Sequence, residues 1–273
     1  MTATFNFKLA NPFAFVAEMR RRNSLLFGLG VAHLVLFCLL LMIAPFDGRT
    51  VMGINPWIKP LKFAISIAIY AFTMAWILAE LPMRAEVKRW IVWILAGTLV
   101  LEIVLITMQA ARGVTSHFNN ATAFDSAVFG TMGAAILINI GAAAYIAVKF
   151  WKARLQIPAP YLWGIRLGLT IFVLASLEGM VMVAHGAHSV GVADGGAGLP
   201  LLNWSTQGGD LRAAHFFGIH ALQVLPFIGV LLSARGGTGK LDSVRSMQVI
   251  GIIYGMIALV LFLWALSGRP LIA

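Results

Sequence analysis

Charged residues are scarce in this chain, at 11% of its 273 residues, whereas a soluble domain carries about 25%. Because 60% of the residues are hydrophobic and the mean hydropathy is +0.89, the composition excludes a soluble domain, a disordered chain, a coiled coil and a collagen. The one cysteine, Cys38, lies in an apolar run, so the chain forms no internal disulfide. It also has no nucleotide-binding glycine motif and no lysine between residues 246 and 267, where a retinal Schiff base of the usual kind would form.

Long apolar runs, by contrast, are abundant. Seven of them reach the length of about 20 residues that a helix needs to cross a bilayer. They are residues 24–45, 61–80, 90–111, 124–148, 163–187, 211–232 and 246–267. Because backbone amides cannot stay unpaired in lipid, such runs must be helical. The sequence therefore predicts an all-α, polytopic integral membrane protein with seven transmembrane helices in one bundle at 24–267, an interfacial segment at 1–23 and a short tail at 268–273.

The basic residues predict the orientation of this bundle. Of the 20 lysines and arginines, 14 lie in the N-terminal segment or in the second, fourth and sixth connections. Cytoplasmic loops are the ones enriched in these residues, which places the N-terminus in the cytoplasm and the C-terminus outside. This distribution also accounts for the net charge of +10 without any nucleic-acid partner. We expect a multi-pass protein of a bacterial-type inner or plasma membrane.

The few ionisable residues within the apolar runs are the best indication of function, because such residues are costly in a bilayer. At 1.5 Å per helical residue, Glu102, Glu178, His220 and His33 lie near the middle of the membrane. A second layer of histidines lies closer to the predicted outer surface: His117, His185, His188 and His215. The sequence thus predicts a polar site in the outer half, with Glu102, Glu178 and His220 as acid–base groups or proton carriers.

The leading hypothesis from these residues is metal or haem binding, linked to redox chemistry. His185 and His215 lie near facing ends of consecutive antiparallel helices, as the two axial ligands of a b-type haem would. His117, His185, His188 and His215 are alternative ligands for a transition metal, with the glutamates orienting their rings.

Two other functions fit the same residues. Buried Glu and His joined to the surface by polar stripes are typical of a proton-coupled transporter or permease of a small solute. The outer cations also favour a membrane hydrolase or transferase that binds an anionic lipid head group. The expected ligand is a quinone or a small anionic solute, and the candidate binding residues are Lys62, Tyr70, Gln109, Arg112, Arg212 and Gln223.

Two features predict packing rather than chemistry. Gly164 and Gly168 have the spacing that lets two membrane helices approach closely. Pro226 should kink the sixth helix, because its ring leaves the Leu222 carbonyl without its usual partner.

Overall fold

The computed structural model describes residues 12–234 and 240–272, and within them the prediction of an all-α, seven-helix membrane bundle is confirmed. Seven helical stretches are long and apolar enough to cross a membrane. The α-helices are α1 (Pro12–Arg22), α2 (Ser24–Ile43), α3 (Ile58–Ile77), α4 (Ala85–Arg112), α5 (Ala123–Lys152), α6 (Ala159–His185), α7 (Leu211–Ile219), α8 (Ala221–Ala234) and α9 (Lys240–Leu266). Two 3₁₀ turns, Ala44–Phe46 and Leu78–Glu80, extend α2 and α3.

Several helices start three to six residues before the apolar run that predicted them, since hydropathy marks the hydrocarbon-spanning part and not the polar turns beside it. Helix α2 begins where the Asn23 side chain accepts a hydrogen bond of 3.0 Å from the Leu26 amide. Helices α4 and α6 end at Gly113 and Gly186, each with φ of 73°, the left-handed conformation that glycine adopts at low cost. Lys8 and Arg235, two of the 14 basic residues that predict the orientation, lie outside the described residues.

The sixth span is interrupted at a position that the sequence did not indicate. Pro226 lies inside α8, and the helix breaks six residues earlier, at His220 between α7 and α8. The His220 carbonyl accepts hydrogen bonds from the amides of both Gln223 and Val224, each of 3.0 Å, which restarts the helix after the break. The span therefore consists of two helices, and the kink expected at Pro226 stays a prediction.

The close approach predicted for Gly164 and Gly168 is confirmed, and its partner is α8. A Cβ on Gly164 would lie 2.4 Å from the Leu225 carbonyl oxygen, and one on Gly168 would lie 2.7 Å from that of Ala221. Only glycine lets the two backbones pack at this distance.

The two ends of the bundle differ in character. We call the end that carries the loops 47–57, 113–122 and 186–210 the histidine end, and the opposite end, where α1 lies, the N-terminal end. Near the N-terminal end the bundle is filled by fully buried apolar side chains, among them Met74, Leu78, Leu95, Ile146, Phe150 and Ile165. The polar side chains predicted to be functional lie at the histidine end or in the middle.

The loop 186–210 covers the histidine end. Its short strands β1 (Ser189–Val190) and β2 (Gly209–Asp210) pair antiparallel. Lys62 donates a hydrogen bond of 3.1 Å to the Leu202 carbonyl, and Asn203 donates one of 3.4 Å to the carbonyl of Met52. These contacts fix the loop over the start of α3 and the loop 47–57.

Candidate functional site

Six ionisable side chains gather beneath this loop at the histidine end. We call them the polar cluster: Lys59, Glu102, His117, His188, Asp194 and Arg212. Lys59 interacts electrostatically with Glu102, Asp194 and Arg212, and His188 interacts with Lys59, Asp194 and Arg212. His117 completes the group through Lys59 and His188. Residues from α3, α4, α7 and two loops thus meet in one place.

The His188 ring is held in a defined orientation by Asp194. The Asp194 carboxylate accepts a hydrogen bond of 2.8 Å from Nδ1 of His188 and further bonds from the amides of His188 and Ser189. Hydrogen bonds from His188 hold the pKa of Asp194 well below its usual range, although burial opposes this shift. A carboxylate can only accept, so Nδ1 carries the proton and the lone pair of the neutral ring is on Nε2.

Burial lowers the pKa of His188, and the positive charges of Lys59 and Arg212 lower it further, while Asp194 opposes the shift. The imidazole is therefore neutral at pH 7. A neutral ring with an oriented Nε2 has the form required of a general base.

His117 and Glu102 form the deeper part of the cluster. Nε2 of His117 lies 3.8 Å from Oε1 of Glu102, and the carboxyl side chain of Glu102 is 2% exposed. The other oxygen of Glu102, Oε2, is buried and has no hydrogen-bond partner among the described residues. The His117 ring is surrounded by Phe63, Phe118 and Phe129, with ring centroids 6.0 to 6.3 Å away. This burial lowers the pKa of His117 well below its usual value, and the Lys59 charge adds to the effect.

The cations of the histidine end are not equivalent. Arg212 is engaged by Asp210, at 2.6 Å, and by the carbonyl of Asn203, and Lys62 is engaged by Leu202. Lys59 is half-buried and forms no hydrogen bond through its ammonium group within the described part of the chain. Its ammonium group, unlike the charged groups of Arg212 and Lys62, is therefore not fixed by a hydrogen bond and can bind an anionic group.

His185 and His215, the predicted haem ligands, contact α6 at different levels. Nδ1 of His215 donates a hydrogen bond of 2.8 Å to the carbonyl of Ala175, and a Cβ on Gly179 would lie 3.7 Å from its Cε1. His185 is six residues beyond Gly179, about 9 Å along the axis. It is exposed and donates through Nε2 to the Ser189 carbonyl at 3.1 Å. Since two ligands of one iron must face each other at matched depth, this offset does not support the pair.

The predicted metal ligands are also not brought together as a set. Among residues 12–234 and 240–272, no three or more His, Cys, Asp or Glu side chains are arranged to hold a metal ion. His117 and His215 each interact electrostatically with His188, whereas His185 binds the loop backbone.

The remaining predicted residues are distributed over the bundle. Arg112 forms an ion pair of 2.5 Å with Asp125 and also contacts Gln109, which itself donates to Asp125 at 2.9 Å. Tyr70 donates a hydrogen bond of 3.2 Å to Asn139, whose amide donates to Thr98. These groups are satisfied by one another and not directed to a ligand.

Two of the three predicted acid–base residues lie apart from the cluster. Glu178 has a buried oxygen, Oε1, with no partner in the described residues. His220 lies at the helix break, with Phe216 packed edge-on at 4.4 Å and Gln223 beside it. Of the three, Glu102 alone belongs to the polar cluster.

Sequence reasoning missed the acidic partners Asp194, Asp210 and Asp125, of which the first two lie in the loop 186–210 and the third is the second residue of the run 124–148. Asp194 is six residues after His188 in a glycine-rich loop, and only the path of that loop brings the two together. Lys59 precedes the apolar run that predicted its helix, and it is one of the outer cations that the sequence predicts could bind an anionic head group.

We compared the chain with known protein families, with curated proteins and with solved structures, and found no significant match.

Proposed function

We propose that this chain is a membrane-embedded hydrolase or transferase that acts on an anionic substrate reached from the histidine end. One observation carries the proposal: the oriented pair His188–Asp194 lies in the same cluster as a buried carboxyl group, Glu102, and Lys59, whose ammonium group has no hydrogen-bond partner among the described residues. A base with an orienting carboxylate, a cation for substrate and a second acid–base group are the parts that acyl or phosphoryl transfer requires.

The roles follow from the contacts. The ammonium group of Lys59 binds the anionic part of an ester substrate. Nε2 of His188 takes the proton of a water or alcohol hydroxyl, whose oxygen forms a bond to the ester carbon or phosphorus. The bond to the leaving oxygen breaks, and that oxygen takes a proton from protonated Glu102. His188 gains one proton and Glu102 loses one. Transfer of a proton from His188 to Glu102 then returns both residues to their starting states.

The N-terminal half of the bundle favours this function over transport. A transporter must give its site access to both sides of the membrane. The fully buried core around Met74, Leu95 and Phe150 fills the path from the N-terminal end, whereas the polar cluster lies at the opposite end. An enzyme needs access from one side only.

The test uses the full chain in lipid nanodiscs. A panel of phospholipid and fatty-acyl esters is incubated with the protein, and released head groups and acids are quantified by mass spectrometry. We expect turnover that falls about 100-fold or more in His188→Gln, the range for loss of a general base. The matched control, His185→Gln, removes an exposed histidine at the same end and should retain turnover within about twofold.

The same preparation separates the functions predicted from sequence. Haem binding would give a Soret band, and a bound metal would appear in elemental analysis; both should depend on His185 and His215. A solute gradient that drives uptake into liposomes would support a permease. Either result, or turnover that is equal in wild type and His188→Gln, would contradict the proposed enzyme.

A further inference from the structure

A second site of different character lies at the opposite end, where α1 meets α2. Helix α1 is anchored to the bundle by the stacking of Phe15 on Trp76, with ring centroids 5.1 Å apart, and by the burial of Met19. Arg22 donates to the carbonyl of Trp76 at 3.1 Å and pairs with Glu80 at 2.5 Å. The position of α1 against α3 is therefore fixed, and the space between α1 and α2 is a defined feature of the fold.

This space is a cleft of about 540 Å³. Its apolar wall is formed by Phe13, Val16 and Phe27, and its polar rim by Arg20, Arg21 and Ser24. The apolar wall is open to the surroundings, with Phe13 86% and Val16 49% exposed. An amphipathic cleft of this kind binds molecules that carry both a hydrocarbon part and a polar head.

The charges at the rim select an anion. Glu18 forms two hydrogen bonds with Arg21, of 2.7 and 2.8 Å, and one of 2.9 Å with Arg22. Arg20 is exposed and forms no ion pair or hydrogen bond with any residue that the structure describes. Glu18 and Glu80 thus pair with Arg21 and Arg22, and the guanidinium of Arg20 stays unneutralised at the edge of the cleft. Guanidinium groups bind phosphate in a bidentate manner.

We propose that this cleft binds one anionic phospholipid, with its phosphate at Arg20 beside Arg21 and Ser24, and an acyl chain along Phe13, Val16 and Phe27. The location supports a lipid in particular. Membrane-spanning α2 begins at Ser24, and the basic end of α1 lies directly before it, so the rim is at the level of the head groups and the apolar wall faces the hydrocarbon. Basic residues next to a membrane helix attract anionic lipids, and the attraction per residue corresponds to about a fivefold gain in affinity.

The experiment measures lipid selection by the full chain. The protein is delipidated in detergent and incubated with equal amounts of phosphatidylglycerol and phosphatidylcholine that carry the same acyl chains, and bound lipids are counted by native mass spectrometry. We expect the wild type to retain phosphatidylglycerol in preference. Arg20→Gln should lower this preference about fivefold, and Arg20→Lys, which keeps the charge, should retain most of it.

Three controls make the outcome decisive. Arg84→Gln removes an equally exposed arginine at the same end but outside the cleft, with a side chain 84% exposed, and should leave the preference unchanged. Glycerol 3-phosphate, which has the head group without the chains, should not displace the lipid, and Val16→Ser should weaken binding of both lipids. Equal losses in Arg20→Gln and Arg84→Gln, a wild type with no preference, or displacement by glycerol phosphate would each overturn the proposal.

Discussion

Asp194 binds His188 twice, once through Nδ1 of the ring at 2.8 Å and once through the backbone amide at 2.9 Å. The Asp194 carboxylate also accepts a hydrogen bond from the amide of Ser189, so it both closes the turn 188–194 and orients the His188 ring. The same residue therefore stabilises the loop over the histidine end and sets the tautomer of the histidine beneath it.

Replacing this carboxylate should affect both stability and the proposed chemistry. We expect Asp194→Asn to lower the free energy of unfolding by about 1–3 kcal/mol, the range for a lost hydrogen bond to a charged group. Thermal unfolding followed by tryptophan fluorescence measures the effect. Glu86→Gln is the control, because its side chain is 71% exposed and its nearest cation, in Arg84, is 3.8 Å away. Equal melting temperatures for the two variants would argue against a structural role of Asp194.

Acid should destabilise the protein through His117 and His188. Burial lowers the pKa of both below the value of 6.5 that holds in the unfolded chain. The unfolded state therefore binds more protons below about pH 6.5, so stability is full above that pH and is lost as the pH falls toward the folded pKa values. We expect a constant melting temperature between pH 7.5 and 8.5 and a progressive decrease from pH 6.5 to 5.

Two substitutions distinguish the protonation of His117 from a general effect of acid on the stability of the protein. His117→Gln removes the titrating group and should flatten the decrease. Ser116→Ala, which removes the hydroxyl 3.2 Å from Nδ1 of His117, should shift the melting temperature at every pH and keep the slope. An unchanged slope in His117→Gln would show that other groups cause the acid sensitivity.

The contact between α6 and α8 gives a prediction that depends on packing alone. Gly164→Ala should lower the free energy of unfolding by about 1–3 kcal/mol, since its new methyl group would meet the Leu225 carbonyl oxygen at 2.4 Å. Gly141→Ala is the matched control on α5, where a Cβ meets nothing within 4 Å, and helix propensity should make it neutral or slightly stabilising. Comparable melting temperatures for the two variants would contradict the close approach.

Hydropathy alone predicts most of this fold and only part of the site. The seven spans and the contact of Gly164 and Gly168 follow from apolar length and glycine spacing, which are local properties of the sequence. The Glu102 side chain could also be found, because a buried carboxyl group in an apolar run is conspicuous. The pairing of His188 with Asp194 could not, since it depends on the path of a loop without periodicity. His185 and His215 occupy matched positions in the sequence but contact α6 at levels about 9 Å apart, and their role as a ligand pair stays a prediction.

The orientation of the bundle decides which compartment supplies the substrate, and the single cysteine makes it testable. In a Cys38→Ser background, Asn120→Cys places a thiol in the exposed loop at the histidine end, and Arg84→Cys places one at the N-terminal end. Because 14 of the 20 basic residues flank the N-terminal end, the positive-inside rule predicts that this end faces the cytoplasm. A membrane-impermeant maleimide should then label Asn120→Cys in intact cells and Arg84→Cys only after permeabilisation. The reverse pattern would place the polar cluster on the cytoplasmic side, and the substrate search would move to cytoplasmic anions and inner-leaflet lipids.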